Sequence, residues 1–207
     1  MRRMFIVALG CVSVLLVPAA TLAGRGESVD PALMEPGLNP DFAPWECWRA
    51  GDGITCYGEF EESWVNQVWP DAECDGRTIY STGGQQRTLT RHGDADGRAL
   101  WSKQHVEIKD QLSMQPDGSG PTMRAVGLFE QSFAYAVPGD FSTRTDTYTG
   151  VDVSITAPGY GLVLHDVGVK TFDTDGNVLF RHGPHPVVDD FEAAMQNVCD
   201  AFEALGA

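Results

Sequence analysis

The stretch AVGLFEQSFAYAV, residues 125–137, carries the clearest structural signal in the chain. Its alternate positions hold the aromatic side chains Phe129, Phe133 and Tyr135, whereas Glu130 falls on an intervening position. Successive side chains of a strand point to opposite faces, so this period of two predicts a β-strand with one apolar face.

Similar alternation continues further along the chain. The alternating positions are Val151, Val153 and Ile155 in one segment, and Val163, His165, Val167 and Val169 in the next. Residues 85–92, 98–108 and 178–181 are also strand-like, whereas residues 59–69 suit either a strand or a helix. Repeated segments of period two, with short polar turns between them, predict antiparallel β-hairpins.

Two of the turns, Asp94-Ala-Asp96-Gly97 and Asp173-Thr-Asp175-Gly176, have the same chemistry. Glycine supplies the positive φ of a tight turn, and aspartate accepts hydrogen bonds from the turn backbone. Each turn lacks the third oxygen ligand and the distant glutamate of a calcium loop. We therefore interpret both as hairpin turns. Their similarity is either a weak internal repeat or one turn chemistry used twice.

The chain ends in a predicted amphipathic helix. After Pro186, apolar residues recur every three or four positions, and Gly206 lies where the pattern stops. The apolar stripe consists of Val188, Phe191, Met195, Val198, Phe202 and Leu205. This spacing gives a helix one apolar face, and glycine commonly follows the end of a helix.

About eight strands and one terminal helix predict a mainly β protein, built as an antiparallel barrel with a C-terminal helix, because closure leaves no exposed strand edge. A two-sheet β-sandwich is the alternative architecture.

Four cysteines follow the first 23 residues: Cys47, Cys56, Cys74 and Cys199. The sequence between Cys47 and Cys56 is symmetric about Gly51, which suits the first position of a two-residue hairpin turn. Cys47 and Cys56 then face each other at a non-hydrogen-bonded pair, where Cα atoms lie about 4.5 Å apart. This geometry predicts a Cys47–Cys56 disulfide and leaves Cys74 to pair with Cys199. The spacings do not match a zinc site.

The N-terminus has the pattern of a secretory signal. An arginine pair at residues 2–3 precedes an uncharged apolar run at residues 4–17, and Thr21 and Ala23 fit the small-residue rule for cleavage after Ala23. The run is too short to cross a bilayer, which takes about 20 residues. The arginine pair also partly matches a twin-arginine signal, and we expect Cys11 to leave with the signal.

We divide the chain into a signal peptide (1–23), a proline-rich leader (24–44) and a single disulfide-stapled β-domain (45–207). The leader contains four prolines and no periodicity, which predicts disorder. Disulfides persist in oxidising compartments, so we expect a secreted protein, either extracellular or in the cell envelope.

The chain is acidic, with a formal net charge of −15. Its basic residues are not clustered, so we expect nucleic acid and anionic membrane surfaces to repel it. The sequence contains no phosphate-cradling loop, dinucleotide-binding fingerprint or Gly-x-Ser-x-Gly nucleophile elbow. It therefore indicates no cofactor, no nucleic-acid partner and no stable membrane insertion after signal cleavage.

The main group of candidate reactive residues consists of His165-Asp166, His182, His185 and Asp189-Asp190. Histidines and carboxylates together can hold a divalent metal or act as an acid–base pair. However, His182 and His185 lie in a Gly-Pro loop, and adjacent strand residues point to opposite faces. We interpret the loop as surface structure and the two C-terminal aspartates as favourable charges at a helix N-terminus. We assign no metal site.

The segment from Glu73 to Phe202 resembles a group of small secreted actinobacterial proteins of unknown function. The shared features are an early cysteine, an aspartate–glycine turn between strands, and a cysteine in a short C-terminal helix. Here they are Cys74, Asp94, Asp96, Gly97 and Cys199. The Cys47–Cys56 hairpin is an addition to that pattern. The resemblance implies a fold and a compartment, and no particular activity.

Small antiparallel barrels can hold a ligand in their mouth. The sequence therefore favours a non-catalytic secreted domain that binds a small apolar molecule or a protein partner. The expected ligand-binding residues are His165, Phe129, Phe133, Tyr135 and Tyr160. His165 is chosen because it shares a strand face with the valines of residues 163–169, which we expect to point inward. The alternatives are an isomerase- or cyclase-like enzyme with a barrel pocket, and a structural envelope protein.

Overall fold

A computed structural model describes residues 26–207, except for the side chains of residues 70 and 71. The proposed signal peptide, residues 1–23, and with it Cys11, lies outside the described residues. Within the described range the protein is mainly β, with antiparallel strands followed by a short helical segment at the C-terminal end. The predicted fold class is confirmed at this level.

The strands lie in the sheet in chain order, and each is antiparallel to its neighbours. They are β1 (Glu46–Ala50), β2 (Gly53–Cys74), β3 (Arg77–Gly93), β4 (Ala99–Ser113), β5 (Thr122–Tyr135), β6 (Arg144–Ala157), β7 (Gly161–Phe172) and β8 (Val178–His182). Residues 59–69, which suited either a strand or a helix, lie inside β2. Residues 125–135 of the alternating stretch 125–137 lie in β5.

The sheet does not close into a barrel, so this part of the fold prediction is wrong. Among the strands of residues 26–207, β1 pairs only with β2, and β8 pairs only with β7. Residues 27–29 already occupy the free edge of β1. The Val29 N–H donates to the Cys47 carbonyl at 3.0 Å, and the Arg49 N–H donates to a carbonyl of that segment at 2.9 Å. All eight strands belong to one sheet, so the two-sheet sandwich is not observed either.

Two helices end the chain, α1 (Pro186–Asp189) and α2 (Phe191–Ala204). Asp190 separates them and caps α2, because its carboxylate accepts the Ala193 N–H at 3.0 Å. The predicted helix is confirmed, although its main body starts later than expected. Its buried residues are Ala194, Val198, Ala201 and Phe202. Gly206 follows the helix end with a φ of 80°.

Helix α2 packs against one face of the sheet, which we call the inner face. It contacts both β2 and β7. These strands are five positions apart in the sheet, so α2 connects distant strands across the inner face. Their shared core includes Ile79, Leu112, Met123, Ile155 and Leu164 from the sheet.

The segment before β1 is folded, which differs from the disordered leader predicted for residues 24–44. Residues 31–33 and 40–42 form short 3₁₀ turns. Met34 is 3% exposed and packs with Ile54 and the first disulfide in a second apolar cluster. The Phe42 ring lies 5.7 Å from the Phe60 ring, between ring centroids. This segment therefore covers the end of the inner face that α2 does not reach.

Both aspartate turns fold as predicted. Asp94 Oδ1 accepts the N–H groups of Asp96 and Arg98, at 3.0 and 2.9 Å. Asp173 Oδ1 accepts the Asn177 N–H at 2.8 Å in the same way. The Asn177 side-chain amide and the turn N–H groups together lower the pKa of Asp173. One turn chemistry thus serves two hairpins.

Both predicted disulfides are present. Cys47 and Cys56 occupy directly paired positions of β1 and β2. Cys74, at the end of β2, is joined to Cys199 in α2. The two bridges close loops of very different length, with sequence separations of 9 and 125 residues. The longer loop restricts the unfolded chain more strongly.

We expect replacement of Cys74 and Cys199 together by serine to lower the free energy of unfolding by about 4–5 kcal/mol. Replacement of Cys47 and Cys56 together should cost about 2–3 kcal/mol, because the released loop is much shorter. Urea unfolding of the two double variants under identical conditions measures both values. Equal losses would show that loop length does not determine the contribution of these bridges.

Candidate functional site

The inner face is covered by α2 at one end and by the segment before β1 at the other. Between these two covers lie half-buried side chains that belong to neither apolar cluster. We call them the inner band, which consists of Phe60, Arg87, Phe129, Gln131, Phe133 and Tyr148. Aromatic, amide and guanidinium groups together are unusual for a core and also for a fully solvated face.

Strand register places the inner band on a single face around a buried centre. Phe60 pairs with Arg87, and Arg87 pairs with Val106 on β4. Val106 in turn pairs with Phe129 on β5. Val106 is only 1% exposed although it belongs to neither apolar cluster. It therefore lies beneath the side chains of the inner band, with β2 and β3 on one side of it and β5 and β6 on the other. We call this part of the inner face the trough.

A second row of the trough is amide-rich. Gln104, on β4, pairs with Gln131, which pairs with Tyr148 on β6. The Gln131 Nε2 donates to the Tyr148 Oη at 2.6 Å. The Phe129 and Tyr148 ring centroids are 5.8 Å apart. Burial raises the pKa of Tyr148, and the nearby Asp146 adds to this rise. The phenol is therefore neutral and can donate or accept a hydrogen bond.

Arg87 is the cation of the trough. Its guanidinium carbon lies 5.8 Å from the Phe60 ring centroid, within cation–π range. Its Nε donates to the Gln85 Oε1 at 2.7 Å. Burial lowers the pKa of Arg87, and the charges of Glu62 and Asp41 partly oppose this shift. Arg87 forms no ion pair with any residue of the range 26–207.

Two further arginines of the inner face are engaged within the fold. The Arg144 Nη2 donates to the Asp146 Oδ2 at 2.9 Å. Burial raises the pKa of Asp146, and Arg144 opposes that rise. The Arg91 Nη1 donates to the carbonyls of Pro36 and Gly37, at 2.8 and 3.2 Å. Arg91 thereby fixes the segment before β1 to the sheet.

A group of three ionisable side chains and one histidine lies at the β6–β7 end of the inner face, and all of them except Asp152 are buried. We call it the charge cluster: Asp152, Asp166, Lys170 and His185. The Lys170 Nζ lies 2.5 Å from the Asp152 Oδ2 and 3.4 Å from the Asp166 Oδ1. The His185 Nδ1 lies 2.8 Å from the same Asp166 oxygen. Asp166 is 0% exposed, so its contacts with both Lys170 and His185 are needed to compensate its burial.

His185 uses both of its ring nitrogens inside the fold. While Nδ1 faces the Asp166 carboxylate, Nε2 lies 3.2 Å from the carbonyl oxygens of Val169 and His182. These neighbours are all acceptors, so the geometry suits a ring that donates from both nitrogens. His185 is only 2% exposed. Neither nitrogen is left to exchange a proton with a substrate.

Local backbone irregularities bring the charge cluster together. Residues 151 and 153 pair with consecutive residues of β7, so Asp152 is the extra residue of a β-bulge. A bulge re-aims a side chain, and here it directs the carboxylate to Lys170. Gly127 lies opposite, where a Cβ would come within 2.8 Å of the Asp152 carbonyl oxygen. Gly168, with a φ of 136°, similarly leaves room for the loop that carries His185.

The space beside the charge cluster, lined also by Phe129 and Tyr148, does not admit a water molecule. The second carboxylate oxygen of Asp166 is buried there without a hydrogen-bond partner among the described residues. The cluster is thus a closed structural unit at one end of the trough.

The structure brings together only some of the residues expected to bind a ligand. Phe129 and Phe133 lie in the inner band, and Tyr135 follows on the same face of β5. Tyr135 is 8% exposed and packs against Phe141 at 5.7 Å between ring centroids. Tyr160 lies in the turn between β6 and β7 and is 50% exposed, outside the inner band.

The expected inward face of β7 is wrong. The buried residues of this strand are Leu164, Asp166 and Lys170. His165 therefore lies on the outer face, opposite Ser154 on β6. The surface-loop interpretation is also wrong for His185, because that side chain is buried. His182, by contrast, is exposed as expected, and Asp190 caps α2.

Sequence reasoning missed Asp152, Lys170 and the amide row. Lys170 carried a usable signal, since it lies four residues after Asp166 and therefore on the same strand face. Two opposite charges on one face of an otherwise apolar strand indicate a buried ion pair or a binding site. Asp152 carried no such signal, because its direction depends on the bulge.

Comparison of the chain with protein-family models, with curated proteins and with solved structures finds no match. Within residues 26–207, no three His, Cys, Asp or Glu side chains are grouped so that they could hold a metal ion. No helix in this part of the chain is long and apolar enough to cross a membrane.

We expect Asp166→Asn to lower the free energy of unfolding by about 3–5 kcal/mol, because it leaves Lys170 and His185 buried without their shared carboxylate. The matched control is Asp189→Asn. Its ion pair with Arg181 is about half exposed on both sides, so its loss should cost at most about 1 kcal/mol. Urea unfolding at neutral pH measures both. A similar small cost for both variants would mean that the charge cluster does not stabilise the fold.

Proposed function

We propose that this chain is a non-catalytic secreted binding domain that holds a small ligand with an apolar or aromatic body in the trough of the inner band. The main observation in support of this proposal is that half-buried aromatic side chains line the inner face between α2 and the segment before β1. Phe60 stands on one wall, and Phe129 and Tyr148 stand on the other. Binding sites for small molecules combine such apolar walls with a few polar groups.

The polar groups of the trough support binding more than catalysis. The neutral phenol of Tyr148 and the amide of Gln131 already form a hydrogen bond, which fixes the orientation of both groups. The enzyme alternative has less support, because the buried His185 has no free nitrogen and His165 lies on the outer face. A binding role requires only a complementary shape of site and ligand, apolar contact between them, and oriented hydrogen bonds.

The secreted compartment is part of the same proposal. Two disulfides in one chain are consistent with an oxidising environment. The resemblance to small secreted actinobacterial proteins and the N-terminal signal pattern point to the same compartment. A soluble ligand outside the cytoplasm is therefore the expected occupant.

Phenylnaphthylamine, a neutral aromatic probe whose fluorescence rises in apolar sites, tests this proposal. We expect saturable binding to the purified protein. We expect Phe129→Ala to weaken that binding by about tenfold, because loss of one ring contact removes on the order of 1–2 kcal/mol. A titration followed by fluorescence measures the Kd of each protein.

The matched control is Leu128→Ala, one residue earlier in the chain. Leu128 is 51% exposed and lies on the outer face of β5, so its removal should leave the Kd unchanged. Absence of saturable binding to the wild type, or equal weakening by both variants, would contradict the proposed function.

A structural role in the cell envelope is the second candidate, and the apolar edge of the sheet favours it. Val178, Leu179 and Phe180 of β8 are 42%, 56% and 55% exposed. No other strand of the described chain pairs with the outer edge of β8. Exposed apolar residues on an unpaired edge promote association with another polypeptide.

Sedimentation velocity over a range of concentrations tests this second candidate. We expect the wild type to self-associate and Leu179→Lys to remain monomeric, because a charge on the edge opposes strand pairing. Leu128→Lys is the control, since Leu128 is 51% exposed but lies on β5, where strands pair with it on both sides. A wild type that stays monomeric at every concentration would remove the support for this role.

A further inference from the structure

Resting on the proposed function, we infer that the trough selects ligands that carry an anionic group, and that Arg87 is the residue that binds this group. The ligand class is an aromatic or alicyclic body with a carboxylate, sulfonate or similar oxyanion. The inference comes from the position of one guanidinium group and from the engagement of the other cations around it.

Arg87 is held in place through its aromatic contact and its Nε–H, while its Nη groups are not used for this purpose. The Phe60 ring lies against its guanidinium group, and Gln85 accepts from its Nε at 2.7 Å. Gln85 in turn donates to the Glu62 Oε2 at 2.7 Å, so the amide stands between the arginine and that carboxylate. The Nη groups of Arg87 have no hydrogen-bond acceptor within the described chain. A planar guanidinium with both Nη groups free matches the geometry of an oxyanion.

The other cations of the inner face are occupied. Arg144 is paired with Asp146, and Lys170 is paired with Asp152. Arg91 donates to backbone carbonyls. An incoming anion therefore finds Arg87 as the accessible guanidinium of the trough within residues 26–207.

The charge of the whole chain makes this arrangement selective. The formal net charge of −15 repels anions from most of the surface. An anion that binds at Arg87 gains from a half-buried cation, where screening by water is weaker than at the surface. Arg87 thus offers an anion a half-buried cation within a chain of negative net charge, and Glu62 and Asp41 are the acidic charges that act on this arginine.

The spacing of the walls sets the size of the ligand body. Arg87 and Phe129 are two strands apart across Val106, which corresponds to about 10 Å along the sheet. A ligand with one or two rings spans this distance. Its anionic group then lies at Arg87, and its body lies against Phe129.

Two probes that differ by a single sulfonate test the inference. Anilinonaphthalene sulfonate has the ring system of phenylnaphthylamine together with one negative charge. A charge-assisted hydrogen bond contributes enough for a difference of roughly 10–100-fold in Kd. We expect the wild type to bind the sulfonate more tightly by about that factor. We expect Arg87→Gln to remove the difference in Kd between the two probes.

Arg124→Gln is the matched control. Arg124 is exposed, lies on the outer face of β5 and forms no ion pair with a described residue. Its replacement removes the same charge from the protein, so the preference for the sulfonate should remain. Circular dichroism of each variant verifies that the sheet is intact.

The outcomes separate this inference from the function on which it rests. If the neutral probe binds and the sulfonate binds no more tightly, the anion preference is wrong and the proposed function stands. If the sulfonate is preferred and Arg87→Gln does not change the preference, the assignment of Arg87 is wrong. If neither probe binds, the proposed function itself fails.

Discussion

The buried carboxylate of Asp166 is the constraint on which the inner face depends. It is fully buried, and a charge in that position is tolerated only with partners. Lys170 supplies one partner from the same strand, and His185 supplies the other from the loop that leads to α2. The ion pair with His185 therefore fixes the start of the helical segment against β7. From there α2 crosses the inner face and reaches β2, where the second disulfide holds it.

The same carboxylate explains why the sequence assigned the wrong face of β7. Alternation identifies the buried face by its apolar residues, and on β7 the valines fall on one face while Asp166 and Lys170 fall on the other. Burial of the charged face is favourable only because Asp152 and His185 arrive from elsewhere in the chain. Asp152 is turned by a bulge, and His185 is placed by a loop. No local pattern encodes either event.

Local features of the chain were predictable, whereas long-range ones were not, apart from the Cys74–Cys199 bridge, which followed from pairing the two cysteines that remained. The Asp-Gly turns, the Cys47–Cys56 hairpin and the apolar stripe of α2 each depend on residues close in sequence, and the structure has all of them. Closure of the sheet depends on what occupies the edge of β1. Residues 27–29 occupy it, and they belong to a segment whose prolines hide any periodicity. The inner band was predicted only in part. Phe129 and Phe133 alternate along β5 and were expected to point inward, whereas Arg87 and Gln131 are polar residues, and no pattern indicated that they also lie at inward positions.

The open sheet and the trough are two consequences of one arrangement. A closed barrel of this length would need apolar side chains throughout its interior, because buried polar groups without hydrogen bonds are costly. Here α2 and the segment before β1 each cover one end of the inner face with an apolar cluster. The middle of the face is occupied by Arg87, Gln131 and Tyr148, whose polar groups would be unfavourable in a sealed core.

An open trough keeps these polar groups in contact with water or with a ligand that has both an apolar body and polar atoms. The polar middle of the sheet is therefore compatible with stability because the sheet does not close, and it is the surface on which we propose that a ligand is recognised.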